Sequence, residues 1–233
     1  MRKSAARDAK SKFPQPEESM AAKAHRLLEE MIVTLELPPG SRWSEDALAD
    51  HIGLGRTPVR EAVKRLQSDT LIKVLPRHGL MVAEIDLPQQ LLVIDIRKEL
   101  EVFVSVRAAR RATKSQREML VTMAAAMEAA GRSDVIVYLR QLYHINRFIA
   151  GMAGNPFAEK AISPLHALSR RFYFNYHSDL MNLAEVGELH ARRAKAVADA
   201  DEEAARRTCL ELMAVIEDYT RAIFTRSLGV GAV

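Results

Sequence analysis

Apolar residues recur at intervals of three and four positions from Met20 onward, which is the spacing of one face of an α-helix. This first pattern stops at Pro38-Pro39-Gly40, a sequence that does not continue a helix. A second, shorter helix is predicted after Ser44, whose hydroxyl can cap the helix N-terminus. Glu45 and Asp46 then stand in its first turn, where carboxylates interact favourably with the helix dipole.

A third helix is predicted to start at Thr57-Pro58, an N-cap residue followed by proline at the first helical position, and to run to about Asp69. The β-rich segments 71–75 and 80–85 follow, and Pro76-Arg77-His78-Gly79 between them predicts a β-hairpin. Three helices followed by a hairpin are typical of a winged helix-turn-helix. Two strands this short must pack on the helices to be stable.

After residue 87 the helical spacing continues to Phe224 without another strand pattern. Helices are predicted near residues 89–112, 115–130, 134–152, 156–177, 179–199 and 201–226. The predicted fold class is therefore mainly α: an N-terminal winged helix-turn-helix with a small β-hairpin, followed by an all-α helical bundle. The predicted units are a polar, flexible arm over 1–18, a DNA-binding domain over 19–86 and an effector-binding and dimerisation domain over 87–233.

Composition excludes several classes of protein. Of the 233 residues, 48% are apolar and 27% are charged, which fits a globular chain rather than a disordered or membrane-spanning one. The longest aliphatic run is residues 91–94, and the N-terminus has no apolar stretch like that of a signal peptide. A single cysteine, Cys209, is expected to pack inside a helix. These features predict a cytoplasmic protein without a membrane partner.

The net charge of +4 and the pI of about 9.3 suggest an anionic partner but do not identify one. The informative charges are local, because Arg56, Arg60, Lys64 and Arg65 of the third helix face only Glu61 within that helix. A basic helix face alone is more often a solvated surface. Its combination with a helix-turn-helix and a hairpin favours binding in the major groove of DNA.

The string Arg-Thr-Pro-Val-Arg-Glu-Ala at 56–62, with the segments 37–40 and 44–49, is similar to the DNA-binding domain of the GntR family of bacterial regulators. The remainder resembles the helical ligand-binding domain of the FadR-type (FCD) branch. The motifs that carry this second resemblance are Asp95-x-Arg97-x-x-Leu100-Glu101, Tyr143-His144, Gly154-Asn155-Pro156 and Glu188-Leu189-His190.

The resemblance implies that Arg56, Thr57 and Arg60 contact DNA, and that the hairpin tip at His78 and Gly79 approaches the minor groove. The predicted DNA-binding set is completed by two flanking residues, Ser44 and Lys64. Two positions depart from the family pattern. Gly55 replaces the usual serine or threonine, which is expected to remove a phosphate contact. Thr70 replaces the usual glycine after the third helix, so that corner is expected to be built differently.

The resemblance also implies a metal site in many relatives, made of an aspartate four residues before a first histidine, a second histidine and a third. The corresponding residues here are Arg140, His144, His190 and Leu212. Two of the four ligands are absent, and a guanidinium beside a divalent cation is electrostatically unfavourable. We therefore expect no conventional metal site and no cofactor.

In place of the metal, Arg140 is predicted to bind the carboxylate of a small organic acid through its two-donor fork. His144, His190 and Arg97 are predicted to complete this effector pocket. Two alternatives stay open: Arg140 and His144 could belong to an exposed polar stripe, and Arg97 could form a salt bridge with Glu101 at i+4.

The sequence thus predicts a transcriptional regulator that binds an inverted repeat in double-stranded operator DNA as a homodimer, with an affinity modulated by a small-molecule effector. One alternative is a DNA-binding protein that acts without an effector. A further alternative is an enzyme built on the helical bundle. The chain has no Gly-rich phosphate loop, no Ser/His/Asp order in a nucleophile context and no paired carboxylates in an apolar setting, so no catalytic residues are predicted.

Overall fold

The computed structural model describes residues 18–180 and 182–227, with the side chains of 178–180 excepted. The predicted arm therefore lies outside the described residues, apart from Glu18. The N-terminal elements are α1 (Met20–Val33), β1 (Arg42–Trp43), α2 (Glu45–Ile52), α3 (Arg56–Ser68), β2 (Ile72–Leu75) and β3 (Gly79–Val82). The helices that follow are α4 (Leu87–Arg111), α5 (Lys114–Ala130), α6 (Val135–Met152), α7 (Pro156–Leu180), α8 (Leu183–Ala198) and α9 (Glu202–Ser227).

The predicted winged helix-turn-helix is present, and α1 packs against α3. Ser44 caps α2 as predicted, because its hydroxyl accepts a hydrogen bond from the amide of Ala47. The apolar face of α3 is buried, with Val59, Ala62 and Leu66 fully inaccessible to solvent. These apolar residues stand at helical spacing of three and four positions, so one face of α3 packs on the core.

The start of α3 differs from the prediction. The helix begins at Arg56 with Gly55 as its N-cap, so Thr57 is the second helical residue and not the cap. Glycine has no side chain to accept a hydrogen bond from the first turn, and no side-chain cap is formed. The pairing of Thr57 with Pro58 misplaced the start because proline is also compatible with later positions of the first turn.

The predicted hairpin is present as β2 and β3, and β1 adds a third strand that the sequence pattern did not reveal because it has only two residues. The strand order is β1-β3-β2, and both pairs are antiparallel. Gly79 opens β3 at φ +79°, and a Cβ atom there would lie 2.8 Å from the carbonyl oxygen of Trp43. Glycine is thus required at the wing both by its backbone conformation and by the closeness of β1.

The helices α4 to α9 form the predicted bundle, in which α4 packs on α9, α5 on α8 and α6 on α7. The largest shift from a predicted boundary is at α8, which begins at Leu183 with Asn182 as its N-cap. Cys209 is fully buried in α9, as expected, and burial raises its pKa to about 11. Over the described part of the chain, no helix is both long and apolar enough to cross a membrane.

The buried residues form two apolar clusters, one within the winged helix and one within the bundle. The clusters meet where α1 packs on α7. Ala167 of α7 belongs to the winged-helix cluster, and Val33 of α1 belongs to the bundle cluster. The division of the chain into two domains between residues 86 and 87 stays a prediction. The two apolar clusters are in contact through α1 and α7.

The corner after α3 corrects a prediction about Thr70. Thr70 has φ +60°, so the left-handed backbone is kept although the residue is β-branched. Two hydrogen bonds of a Schellman motif impose this conformation: Leu71 N donates to Leu66 O at 2.9 Å, and Thr70 N donates to Gln67 O at 3.1 Å. Leu66 and Leu71 are both fully buried, so their packing offsets the unfavourable backbone of Thr70.

We expect Thr70→Gly to raise the free energy of unfolding by about 0.5 to 1 kcal/mol. Glycine removes the cost of a left-handed β-branched residue, and the greater conformational entropy of glycine in the unfolded chain offsets part of this gain. Urea unfolding measures the change. Thr122→Gly within α5 is the control, and it should lower the free energy of unfolding by a few tenths of a kcal/mol. Equal destabilisation by the two substitutions would show that Thr70 carries no strain.

Candidate DNA-binding surface and effector sites

The outward face of α3 is a row of exposed cations. The side chains of Arg56, Arg60 and Lys64 are 73%, 61% and 64% exposed, respectively. They follow one another at intervals of four residues, so they share one face of the helix. This geometry agrees with the face that the sequence predicted for DNA.

The cations of this face have more anionic partners than the sequence indicated. The Nε atom of Arg56 lies 2.9 Å from Oδ1 of Asp46, and that of Arg60 lies 3.0 Å from Oε2 of Glu45. Glu61 is the acidic residue within this segment of α3, and the first turn of α2, which lies alongside α3, adds two more carboxylates. Glu45 and Asp46 thus have two roles: they interact favourably with the helix dipole at the N-terminus of α2, and they pair with two arginines of α3.

The other predicted DNA contacts, Ser44, Thr57, His78 and Gly79, are all exposed. Ser44 is exposed, but its hydroxyl is engaged in capping α2. Thr57 is exposed in the first turn of α3, where the glycine N-cap leaves the backbone amides without a side-chain acceptor. Such a helix end is open to a phosphate oxygen. His78 and Gly79 are exposed at the tip of the wing.

The four predicted effector residues do not form one pocket, which corrects the sequence interpretation. Arg97 and His190 are each only 1% exposed and lie inside the bundle. Arg140 and His144 are exposed and line a cleft between α1 and α6. The spacing of Arg140 and His144 along α6 could not show that they lie outside the bundle. Their position depends on which side of α6 faces the winged helix.

Arg97 belongs to a buried ionic cluster around the carboxylate of Glu101. Its Nε and Nη2 atoms donate to Oε1 of Glu101 at 3.2 and 3.0 Å, which confirms the alternative of a salt bridge at i+4. Nε2 of His166 lies 2.8 Å from the same oxygen, and Nη1 of Arg193 donates to Oε2 at 2.5 Å. One carboxylate of α4 therefore joins α7 and α8.

Two further residues extend this cluster across the bundle. Arg97 donates through Nη1 to the hydroxyl of Tyr173 at 3.1 Å, and Arg193 donates through Nη2 to Oδ1 of Asn146 at 2.5 Å. Arg193, His166 and Asn146 were missed by the sequence analysis. One signal was available for Arg193, which lies three residues after His190 and so shares its face of α8.

The charges of the buried cluster do not cancel. Burial alone would raise the pKa of Glu101, but Arg193, His166 and Arg97 hold it well below its usual range. Burial and the nearby Arg193 lower the pKa of His190 well below its usual value, so its imidazole is neutral. Burial also lowers the pKa of His166, against the attraction of Glu101. Two guanidiniums thus face one carboxylate.

Several polar atoms of the cluster also lack a hydrogen-bond partner among the described residues. They include both ring nitrogens of His190, the hydroxyl of Tyr138 and Nε of Arg193. Buried polar groups are normally paired, and each unpaired one costs about 1 to 3 kcal/mol. The bundle therefore contains unused donors beside an excess of positive charge.

The positions that correspond to metal ligands in relatives do not fit a metal here. His144 is exposed, His190 lies within the bundle, and the buried Leu212 has no ligand atom. Among residues 18–180 and 182–227, no group of three or more His, Cys, Asp or Glu side chains is arranged to hold a metal ion.

The cleft at Arg140 lies between α1 on one side and α6 and α7 on the other. Arg140 pairs with Glu30 of α1 at 2.7 Å, and the buried Arg170 of α7 pairs with Glu29 of α1. Partial desolvation, together with Arg147 and Arg170, lowers the pKa of His144. These contacts tie the winged helix to the bundle through charged groups.

Two protein families match the chain. The FCD domain matches residues 92–215, which is more than half of the chain, and the family described as bacterial regulatory proteins, gntR family, matches residues 20–82.

Individual relatives are named as transcriptional regulators. The chain is 44% identical over 59 residues to an uncharacterised HTH-type transcriptional regulator in an unstable DNA locus of Streptomyces ambofaciens, which covers 25% of each chain. It is 33% identical over 101 residues to the HTH-type transcriptional repressor RspR of Escherichia coli K12, which covers 43% of this chain and 44% of RspR. The chain thus spans less than half the length of these two curated relatives.

Among solved structures, the fold is similar to that of E. coli McbR/YncC. The TM-score is 0.76, the sequence identity is 22%, and the match covers 88% of this chain and 99% of the other. At this identity the similarity shows the fold alone. It extends over both the winged helix and the bundle.

We expect the free energy of unfolding to fall as the pH drops below about 6.5, because the pKa values of the buried His190 and His166 are lowered in the folded state and the unfolded state therefore binds protons at these residues first. His190→Leu should reduce this slope by up to about 1.4 kcal/mol per pH unit, the equivalent of one proton. Urea unfolding between pH 7 and pH 5.5 measures it. The control is His78→Gln on the exposed wing, which should leave the slope unchanged. Identical slopes for wild type and His190→Leu would contradict the buried neutral histidine.

Proposed function

Since the chain belongs to the GntR family of bacterial regulatory proteins and carries an FCD domain, we propose that it is a transcriptional regulator that binds operator DNA. The observation that carries this proposal is the row of exposed arginines on α3, the second helix of a helix-turn-helix. In such folds this helix enters the major groove. The proposed reading domain is residues 19–86, and the proposed sensing domain is residues 87–233.

The proposed contacts follow from the chemistry of each side chain. Arg56 and Arg60 can each donate two hydrogen bonds to one guanine edge, which makes them candidates for sequence recognition. Lys64, Thr57 and Ser44 are proposed to contact the phosphate backbone, and such contacts fix the register of a protein on DNA. His78 and Gly79 at the wing tip are proposed to approach the minor groove.

We propose that the regulator acts as a homodimer on an inverted repeat, because each chain has a single reading head and one head contacts few base pairs. An exposed apolar stripe on α4 supports this proposal. Leu92, Ile96 and Phe103 are 69%, 50% and 40% exposed and stand at intervals of four and seven residues, so they lie on one face. A second copy of the chain would remove this surface from water.

The effector is proposed to be a small organic acid that binds in the bundle at the cluster containing Arg97 and His190. A carboxylate would balance the second guanidinium and accept hydrogen bonds from donors that have no partner. Burying a charge is favourable only when it is paired and hydrogen-bonded, and this cluster offers both. The change in operator affinity would equal the difference between the binding free energies of the acid for two arrangements of the reading heads, which is about 1 to 3 kcal/mol.

Operator binding should depend on the arginines of α3. We expect Arg56→Ala and Arg60→Ala each to weaken operator binding by about 1 to 3 kcal/mol, with two chains bound per inverted repeat. Gel-shift titration at one fixed salt concentration measures both quantities. Arg192→Ala is the control, because Arg192 is equally an exposed arginine, paired with Glu211, but lies in the bundle. If all three variants bind like wild type, α3 does not read DNA.

Effector binding should depend on His190. Calorimetry against a panel of small organic acids is expected to reveal a ligand whose affinity falls at least 10-fold in His190→Leu and is unaffected by a chelator, since removing one charge-assisted hydrogen bond costs about 1.5 to 3 kcal/mol. His78→Gln should bind the same acid normally. A ligand that requires added metal, or that binds His190→Leu as tightly as wild type, would refute this site.

A further inference from the structure

The cleft between α1 and the bundle combines an apolar floor with a cationic rim. Val33 of α1 and Leu139 of α6 are buried in its floor, and Ile136 of α6 extends the apolar surface to the opening. The space is about 520 Å³, counting the part that is open to solvent.

Guanidinium groups outnumber carboxylates around the cleft. Arg26, Arg140 and Arg170 line it, against Glu29 and Glu30. The two carboxylates are already paired, Glu29 with Arg170 and Glu30 with Arg140. Arg26 pairs with Glu18, which does not line the cleft. Each guanidinium therefore already has a carboxylate partner, and an anion enters the cleft by displacing one of these carboxylates.

Arg170 supplies an independent observation. It is only 5% exposed, its guanidinium lies 4.8 Å from the centre of the Tyr143 ring, and its Nε atom has no hydrogen-bond partner among the described residues. A buried guanidinium normally has its donors satisfied. A planar donor fixed by an aromatic ring and lacking an acceptor is suited to an oxygen that comes from a ligand.

We propose that this cleft binds an organic monocarboxylate with an apolar body, at a site separate from the buried cluster around Glu101. The apolar body lies on Ile136, which is 37% exposed and continues the buried apolar layer of Val33 and Leu139. The carboxylate takes the place of Glu30 on Arg140. That exchange is inexpensive because the Arg140–Glu30 pair is exposed, with Arg140 61% accessible, and exposed ion pairs contribute little.

The position of the cleft gives this site a consequence for the whole chain. Its walls come from α1, which packs on α3, and from α6 and α7 of the bundle. A ligand that replaces Glu30 opens one of the two ion pairs that join α1 to the bundle and leaves the buried Glu29–Arg170 pair in place. A ligand in the cleft therefore changes the contact between α1 and the bundle and leaves the core of the bundle unchanged.

The test uses octanoate and its neutral analogue octanamide as probes, with calorimetry on the full chain. We expect octanoate to bind with one site per chain, octanamide to bind about 2- to 5-fold more weakly, and Arg140→Gln to weaken octanoate binding by a similar factor, because the ion pair that Arg140 forms is exposed. Arg192→Gln is the matched control, because it removes an exposed, ion-paired arginine elsewhere on the bundle. It should leave octanoate binding unchanged.

Further variants separate this site from the proposed function. His190→Leu should bind octanoate normally, and loss of binding in His190→Leu but not in Arg140→Gln would place the acid in the buried cluster and overturn the proposal. Equal binding of octanoate and octanamide, or no binding of octanoate, would also overturn it. Arg140→Gln should still shift operator DNA in the absence of octanoate, so a loss of octanoate binding is distinguished from a failure of the proposed DNA-binding function.

Discussion

The structure of the bundle depends on a single buried carboxylate, that of Glu101. Its two oxygens interact with Arg97 of the same helix, His166 of α7 and Arg193 of α8. Removing one partner of such a cluster leaves an uncompensated buried charge, which typically costs about 3 to 5 kcal/mol. Apolar packing alone tolerates small shifts between helices. The directional bonds to Glu101 fix how α4, α7 and α8 are positioned against one another.

Helix α7 extends this constraint to the reading head. Along one helix, His166 and Tyr173 point toward the buried cluster, whereas Arg170 and Arg171 contact the N-terminal elements. Arg170 pairs with Glu29 of α1, and Arg171 donates to the carbonyl of Ala83 directly after β3, where burial lowers its pKa to about 10. A rotation or shift of α7 would therefore change both sets of contacts at once. This gives the proposed sensing function a physical route that uses a rigid element between the two sites.

Local rules were enough to predict the elements, and tertiary contacts account for most of what they missed. Ser44 and the apolar spacing of α3 depend on neighbours within a few residues, so the sequence predicted them. The left-handed Thr70 could not be predicted, because the burial of Leu66 and Leu71 overrides the preference of a β-branched residue. The split of Arg140 from His190 also required the structure, since the docking of α1 decides which side of α6 is covered.

The carboxylates of α2 have a consequence for how the protein searches along DNA. Asp46 and Glu45 already occupy the guanidiniums of Arg56 and Arg60, so at the proposed interface a nucleic acid has to displace these carboxylates before it gains contacts with the two arginines. A lone phosphate oxygen replaces one carboxylate with a similar anion and gains little, whereas a guanine edge offers two aligned acceptors. The carboxylates of α2 therefore weaken non-specific binding to DNA more than specific binding. Because two cations of α3 are already paired within the protein, binding to DNA releases fewer condensed counterions than the number of cations on α3. Binding is therefore less sensitive to salt than that of a basic helix without internal ion pairs.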